Sequence, residues 1–163
     1  MGISCHPYRS VDSFERSFCS KEQIDMAFYY ADNVPQYVVG DALRFKQILT
    51  NLISNAIKFT PDGEIIVRAR IEHDDIGECL LHFSVQDSGI GLSGTDRKRL
   101  FESFSQGDAS VTRQFGGTGL GLAISKQLVS LMHGQIGFED NQERAPTEKG
   151  STFWFSAKFS VDD

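Results

Sequence analysis

The clearest pattern in the chain is a helical one between positions 41 and 59. Apolar residues recur there every three or four positions, the spacing of one buried helix face; they are Phe45, Ile48, Leu49, Leu52, Ile53, Ala56 and Ile57. Asp41 can cap the first turn, and the run 60–63, Thr-Pro-Asp-Gly, has the residues of a helix end followed by a turn. The sequence therefore predicts a helix over 41–59.

Alternation of apolar and polar residues predicts strands in five other segments. These segments are 24–31, 64–72, 79–87, 135–140 and 151–160. The second and third strands flank the polar run 73–78 and are expected to form a hairpin, while the last two flank a charged loop, 141–149.

Four further segments have less regular patterns. The sequence predicts a short helix over 11–22, a second over 93–104 and a third over 119–133, the last ending at a glycine-type C-terminus, His133-Gly134. The intervening segment 105–117 is polar and contains glycine without a clear period, so we interpret it as mobile.

Composition favours one ordinary globular domain. The chain has 163 residues, 40% of them hydrophobic and 23% charged, which is enough for a single α/β or α+β unit with a proper core. No internal repeat or low-complexity linker divides it, so we expect one domain over 1–163.

Charge and cysteine content exclude several classes of protein. The net charge of −6 disfavours a nucleic-acid or acidic-membrane surface, because either would need clustered Lys and Arg. Cys5, Cys19 and Cys79 have neither a disulfide nor a zinc-site spacing, which fits a reduced cytoplasmic setting. The apolar runs are too short for a transmembrane helix or a signal peptide, so no membrane contact is expected of this chain.

A glycine-rich run, Gly-Gly-Thr-Gly-Leu-Gly-Leu, stands at 116–122 and leads directly into an apolar helical pattern. Glycines let the backbone approach a ligand closely, and a helix start offers unpaired N–H groups to an anion. Taken alone, the run is equally compatible with an ordinary flexible loop. Other phosphate motifs are excluded, because Leu122 stands where a Walker loop needs lysine and the glycines come too late for a dinucleotide fold.

A polar stripe lies along the predicted helix 41–59. Gln47, Asn51, Asn55 and Lys58 fall on one side of it, and asparagine is a mediocre helix former. The stripe can be a solvated helix face, or it can present an amide oxygen to magnesium and an ammonium to phosphate.

The segment 87–91, Asp-Ser-Gly-Ile-Gly, ends the third predicted strand. Asp87 can simply bond nearby backbone in an Asx turn. Alternatively its carboxylate accepts a hydrogen bond from a ligand's exocyclic amine, while Gly89 and Gly91 leave room for a flat ring. Both interpretations remain open at this point.

Taken in order, these blocks resemble the catalytic and ATP-binding domain of sensor histidine kinases, in the wider superfamily of gyrase, heat-shock-ninety, histidine kinase and mismatch-repair ATPases. The resemblance covers about residues 24–160, and the run 116–125 is most similar to hybrid sensor kinases. The matching motifs are 51–60 (N box), 87–91 (G1 box), 101–104 (F box), 117–122 (G2 box) and 150–153 (final G box). Several motifs in the right order are far more specific than any one of them.

The resemblance implies an α+β fold: a two-layer α/β sandwich with a mixed, mostly antiparallel sheet covered by helices on one face. It implies that Asn55 is the magnesium ligand, and that Asn51, which we count as catalytic, and Lys58 lie near the phosphates of ATP. It further implies that Phe59 lies beside the adenine and that Asp87 binds the adenine amine.

The resemblance also makes the glycine run part of a lid over ATP. Gly117, Gly119 and Gly121 would give the lid its freedom, Leu120 and Leu122 would pack, and Arg113 is a candidate phosphate contact. The remaining implied nucleotide-binding residues are Gly89, Gly91, Thr118 and Thr152. The segment 105–118 is then expected to be disordered or multiply placed without nucleotide.

The implied reaction is donation of the γ-phosphoryl group of Mg-ATP to a histidine on a separate dimerisation domain, with a receiver domain downstream. The isolated domain is expected to be monomeric. None of the chain's four histidines fits the setting of the phosphoacceptor; they are His6, His73, His82 and His133.

Two alternatives keep the fold but change the function. In a regulatory interaction module, apolar residues around Phe101, Phe104 and Phe115 would serve a partner helix. A self-contained ATPase of the superfamily normally has an acidic general base where this chain has Asn51.

Overall fold

The computed structural model describes residues 2–4, 23–91, 101, 121–141 and 149–161, with only the backbone described for 2–4 and 23. The helices and strands are, in chain order, β1 (Gly2–Ser4), β2 (Gln23–Tyr30), β3 (Tyr37–Val39), α1 (Ala42–Phe59), β4 (Asp62–Asp75), β5 (Glu78–Asp87), α2 (Gly121–Leu131), β6 (Ile136–Asp140) and β7 (Ser151–Ser160). The predicted helices 11–22 and 93–104 and the predicted mobile segment 105–118 lie outside the described residues, apart from position 101.

Within the described residues, one mixed sheet has the strand order β1-β3-β7-β5-β4-β2. Strands β2 and β4 are parallel, and the other pairs are antiparallel. Strand β7 is central: β5 pairs along one of its edges, and β6 and β3 share the other. This is the mostly antiparallel sheet that the sequence resemblance implied.

Helix α1 forms as the apolar pattern predicted. Asp41 caps it, because its carboxylate accepts a hydrogen bond from the backbone N–H of Arg44 at 2.9 Å. The helix buries its apolar stripe through Ile48, Leu52, Ile53 and Ala56. It ends where predicted, with Thr60 as C-cap.

The core lies between the two helices and one face of the sheet. Alternate residues of β5 and β7 face each other there, for example Phe83 opposite Phe155. The ring of Phe45, on α1, lies 4.9 Å from that of Phe83 and 6.0 Å from that of Phe155. Val129 of α2 belongs to the same buried cluster, which confirms the predicted two-layer sandwich.

The β4–β5 hairpin is longer than predicted. The sequence predicted a turn over 73–78, but His73 to Asp75 continue β4, and the connection consists of Ile76 and Gly77. Pairing extends past the core because a backbone ladder needs no apolar side chains at its exposed end. Gly77, with φ of +73°, makes the tight reversal possible.

The end of α2 also differs from the prediction. The helix stops at Leu131, and His133 rather than Gly134 has the left-handed conformation, with φ of 55°. Gly134 is needed for a different reason, because a Cβ there would overlap the carbonyl oxygen of Ser156. The glycine therefore allows close packing of the chain against β7.

No helix in the described part of the chain is long and apolar enough to cross a membrane.

A pair of leucines on α1 tests the burial of its apolar face. Leu52 is 0% exposed and Leu43 is 77% exposed. We expect Leu52→Ala to lower the free energy of unfolding by about 2–5 kcal/mol, because it removes buried methyl groups and leaves a cavity. Leu43→Ala is the control and should change it by no more than about 0.5 kcal/mol, as measured by urea unfolding. Equal losses would contradict this orientation of the helix.

Candidate functional site

The polar stripe of α1 meets the first turn of α2 at Asn51. The Nδ2 group of Asn51 donates a hydrogen bond to the hydroxyl of Ser125 at 2.9 Å. A Cβ at Gly121, the first residue of α2, would overlap Oδ1 of Asn51. The Asn51 amide is therefore packed between two helices, and a simple solvated face does not describe it.

The rest of the stripe follows α1 toward its C-terminus. Asn55 lies one turn after Asn51 and is half-buried. Lys58 is exposed, and its ammonium nitrogen lies 5.4 Å from the centre of the half-buried Phe59 ring. A lysine in the last turn is favourable for the helix dipole.

Asp87 ends β5 and is 3% exposed. Its Oδ1 accepts hydrogen bonds from the backbone N–H groups of Gly89 at 2.9 Å and Ser151 at 3.3 Å. Burial raises the pKa of this carboxyl, because it disfavours the charged form, and the hydrogen bonds from Gly89 and Ser151 offset part of the effect. The Asx turn that the sequence allowed is present, and it holds the carboxylate on the helix-covered side of the sheet.

Asn141 hydrogen-bonds the backbone of Asp87, and the sequence analysis did not identify it. Its Nδ2 donates to the carbonyl oxygens of Asp87 and Lys149, both at 2.9 Å, and the hydroxyl of Thr152 donates to its Oδ1 at 2.7 Å. Asn141 is 2% exposed. In the sequence it is one polar residue at the start of a charged loop, so no pattern marked it.

Thr152 was predicted to contact the nucleotide, but in the structure its hydroxyl donates to Asn141. It pairs with Gln86, one position before Asp87 in β5, while the neighbouring Ser151 provides the N–H that reaches the Asp87 carboxylate. A direct nucleotide contact by Thr152 stays a prediction.

Two glycines bring the Asp87 turn against its neighbours. A Cβ at Gly89 would overlap the carbonyl oxygen of Phe59, and the backbone N–H of Ile90 donates to that same oxygen at 3.2 Å. Gly91, with φ of +72°, then turns the chain. The end of α1 and the Asp87 turn are thus fixed together, with the backbone of Phe59 against the turn.

Thr60 lies at this junction and has an unsatisfied hydroxyl. It is 0% exposed, and its Oγ has no hydrogen-bond partner among the residues that the structure describes. A Cβ at Gly89 would lie 2.9 Å from this oxygen, so the hydroxyl is directed at the Asp87 turn. Buried hydroxyls are rarely left unpaired, and a polar ligand or water at this turn would satisfy it.

Several predicted site residues cannot be placed against this geometry. Arg113, Gly117, Thr118, Gly119 and Leu120 lie outside the described residues. Of the glycine run, Gly121 begins α2, and Leu122 is half-buried and packs against the core as expected. Phe101, from the predicted F box, also packs against the core, whereas Phe104 and Phe115 are not described.

A cavity of about 300 Å³ adjoins the Asp87 turn and lies mostly along residues of β4 and β5 that face away from the helices. It is lined by Glu64, Ile66, Arg68, Gln86, Asp87, Ser88 and Lys149. The polar stripe of α1 does not contribute to it, so we do not assign the predicted nucleotide site to this cavity.

The support of Asp87 can be tested through Gly150. This residue has φ of +88°, and a Cβ there would overlap the carbonyl oxygen of Asp87. We expect Gly150→Ala to lower the free energy of unfolding by about 2–5 kcal/mol, combining backbone strain with steric overlap. Gly77→Ala is the control, because Gly77 has φ of +73° but no atom within 4 Å of the added Cβ. Its loss should be about 1–2 kcal/mol in urea unfolding; equal losses would show that the overlap is relieved without cost.

Comparison with known proteins identifies the family. Residues 40–161 match the family described as histidine kinase-, DNA gyrase B-, and HSP90-like ATPase. Sensor histidine kinase GacS of Pseudomonas protegens is 50% identical over 135 residues, which are 83% of this chain and 14% of that protein. Hybrid signal transduction histidine kinase B of Dictyostelium discoideum is 44% identical over 133 residues, 82% of this chain and 6% of that protein.

The fold has matching solved structures. The crystal structure of full-length ShkA in complex with AMPPNP superposes with a TM-score of 0.71 at 31% identity, over 94% of this chain and 29% of that one. The chain thus spans a small part of the length of the relatives it matches. Because the family match covers most of the sequence and agrees with the fold, the chain belongs to the histidine kinase-, DNA gyrase B- and HSP90-like ATPase family, as an ATP-binding domain of the histidine kinase type.

Proposed function

We propose that the chain is the Mg-ATP-binding catalytic domain of a two-component sensor histidine kinase. In this function it donates the γ-phosphoryl group of ATP to a histidine on a separate dimerisation domain. The observation that carries the proposal is the buried Asp87 carboxylate, held by backbone N–H groups beside the end of α1. Such a carboxylate is suited to read one hydrogen-bond donor on a flat ring.

The adenine is proposed to lie against the Asp87 turn. The carboxylate accepts a hydrogen bond from the exocyclic amine, and Phe59 offers an apolar surface beside the ring. The unsatisfied hydroxyl of Thr60 supports a polar ligand at this position, because a ligand atom or a bridging water would satisfy it.

The phosphates are proposed to lie between α1 and the start of α2. Lys58 supplies a positive charge at one end, and the first turn of α2 supplies backbone N–H groups and the positive end of a helix dipole at the other. Gly121 keeps the first turn of α2 close to Asn51, because a side chain there would collide with the Asn51 amide.

Asn55 is proposed to hold the magnesium ion that accompanies ATP. Among the described residues no group of three or more His, Cys, Asp or Glu is arranged to hold a metal. A single amide oxygen nevertheless fits magnesium, which binds ATP phosphates and water with few protein ligands. When bound, the ion would neutralise charge on the transferring phosphoryl group, while Asn51 and Lys58 orient the phosphate oxygens.

The proposed partners are a histidine-containing dimerisation domain and a downstream receiver domain. Names such as hybrid signal transduction histidine kinase among the relatives support this assignment. We further propose that the domain works in the cytoplasm and is monomeric in isolation.

A self-contained ATPase has less support, because Asn51 has no carboxylate to act as a general base. A regulatory module that binds a partner through the F box also has less support, because Phe101 of that box packs against the core.

A phosphotransfer assay tests the proposed function. The 163-residue chain is mixed with γ-labelled ATP, magnesium and a purified histidine-containing dimerisation domain of the same or a partner kinase. We expect acid-labile label on that domain, and none when its acceptor histidine is replaced by glutamine. Absence of label from an intact acceptor, with this chain folded, would favour the regulatory alternative.

A further inference from the structure

Ser125 is a buried serine in the interior of α2, and its side chain contacts the proposed phosphate site. It is 1% exposed, and its hydroxyl accepts the hydrogen bond from Nδ2 of Asn51 at 2.9 Å. The two residues are 74 positions apart in sequence, so the bond joins two separate segments.

Helix formation and packing do not explain a serine at this position. Alanine has the higher helix propensity and nearly the same volume, so it would fill this buried position of α2 equally well. A hydroxyl in a helix interior commonly bonds a carbonyl oxygen of its own helix, as the Ser130 hydroxyl does with Lys126 at 3.0 Å. Ser125 instead pairs with Asn51, and burying its hydroxyl is tolerated because of that pairing.

The bond fixes the orientation of the Asn51 amide. With Nδ2 directed at Ser125, the other end of the amide, Oδ1, faces Gly121. Gly121 and Ser125 are four residues apart, so they lie on the same side of α2 one turn apart. The amide therefore lies against one face of α2, where Nδ2 is hydrogen-bonded and Oδ1 packs against Gly121, so α1 is joined to the first turn of α2.

We propose that Ser125 is a positioning residue for the nucleotide phosphates and acts through Asn51. Its hydroxyl keeps the Asn51 amide in one orientation and keeps the first turn of α2 at a fixed distance from α1. This inference rests on the proposed function, because it assumes that the phosphates bind between these two helices.

A double-mutant cycle on Mg-ATP affinity tests the proposal, with calorimetry on the full chain. We expect Ser125→Ala to weaken binding about tenfold, the scale of one buried amide left unpaired. In an Asn51→Ala background the same change should weaken binding less than about twofold, because Ser125 acts through Asn51. Ser130→Ala is the matched control on the same helix and should leave affinity unchanged.

Two further comparisons make the result decisive. Ser125→Cys keeps a side chain of similar shape but replaces the hydroxyl by a thiol, which is a poor hydrogen-bond acceptor. It should therefore weaken Mg-ATP binding, and this result does not depend on the stability of the alanine variant. Wild-type affinity in Ser125→Ala or Ser125→Cys, or an equal loss in both Asn51 backgrounds, would overturn the positioning role alone. Failure of the folded wild-type chain to bind Mg-ATP would instead overturn the proposed function.

Discussion

Replacing Asp87 by asparagine is expected to weaken ATP binding by about 1–3 kcal/mol, the scale of a buried polar group left without its partner. Asparagine has the same shape and its oxygen can keep the hydrogen bonds from Gly89 and Ser151. Its NH2 group would then face the adenine amine, donor against donor. Calorimetric titration of ATP measures the loss.

The same change is expected to stabilise the protein without nucleotide. Burial raises the pKa of Asp87, so holding its ionised form in the folded state costs free energy that asparagine does not incur. Urea unfolding at neutral pH should show a higher free energy of unfolding for Asp87→Asn than for the wild type. Asp41→Asn is the matched control, because Asp41 is exposed and asparagine caps a helix equally well. It loses only the exposed ion pair with Arg44, so ATP affinity should be unchanged and the free energy of unfolding should fall by no more than about 1 kcal/mol.

The pH dependence follows from the direction of the pKa shift. Because the folded state binds the Asp87 proton more tightly than the unfolded state, this group's contribution to stability falls as pH rises from its ordinary pKa of 3.8 through the raised value. ATP affinity should change in the opposite direction, since the protonated carboxyl cannot accept the amine's hydrogen bond as a carboxylate does. Both dependences should disappear in Asp87→Asn. Unchanged ATP affinity in Asp87→Asn would show that Asp87 only stabilises the turn and does not bind the adenine.

Replacing Asn55 by alanine is expected to abolish the effect of magnesium on ATP binding. It should also lower the rate of phosphoryl transfer by roughly 100-fold or more, the scale of losing one group that stabilises transition-state charge. Asn55 is half-buried on α1, and alanine is a better helix former, so the fold should be retained. ATP affinity in the variant should be the same with magnesium as with a chelator.

The control for Asn55 lies on the same polar stripe. Gln47 is exposed and two turns closer to the N-terminus of α1, so Gln47→Ala should preserve both the magnesium effect and the transfer rate. A full magnesium effect in Asn55→Ala would remove Asn55 from the metal site. Equal losses in both variants would indicate a general effect on the helix.

The sequence was sufficient where one local rule decided the structure. The apolar period of 41–59 and the cap at Asp41 predicted α1 to within a residue, because helix periodicity and capping are local properties. Alternation predicted β5 and β7 for the same reason. Within the site, the structure shows intramolecular hydrogen bonds of Asn51 with Ser125 and of Asp87 with Gly89, and the nucleotide contacts predicted for Asn51 and Asp87 stay predictions.

Tertiary contacts decided what the sequence could not predict. The parallel pairing of β2 with β4 and the bond from Asn51 to Ser125 join distant segments, and no local pattern records them. Asn141 was missed because a buried and an exposed asparagine look alike in a polar run. The sequence placed Gly134 at a left-handed helix end, but the structure shows that glycine is needed there for close approach to β7. Glycine meets both requirements, so the sequence alone cannot distinguish them.

The most direct test of the central claim is a calorimetric titration of the folded 163-residue chain with ATP, in magnesium and then in a chelator. The proposed site predicts saturable binding to one site per chain that is tighter with magnesium. No binding in either condition, from protein shown to be folded, would contradict it.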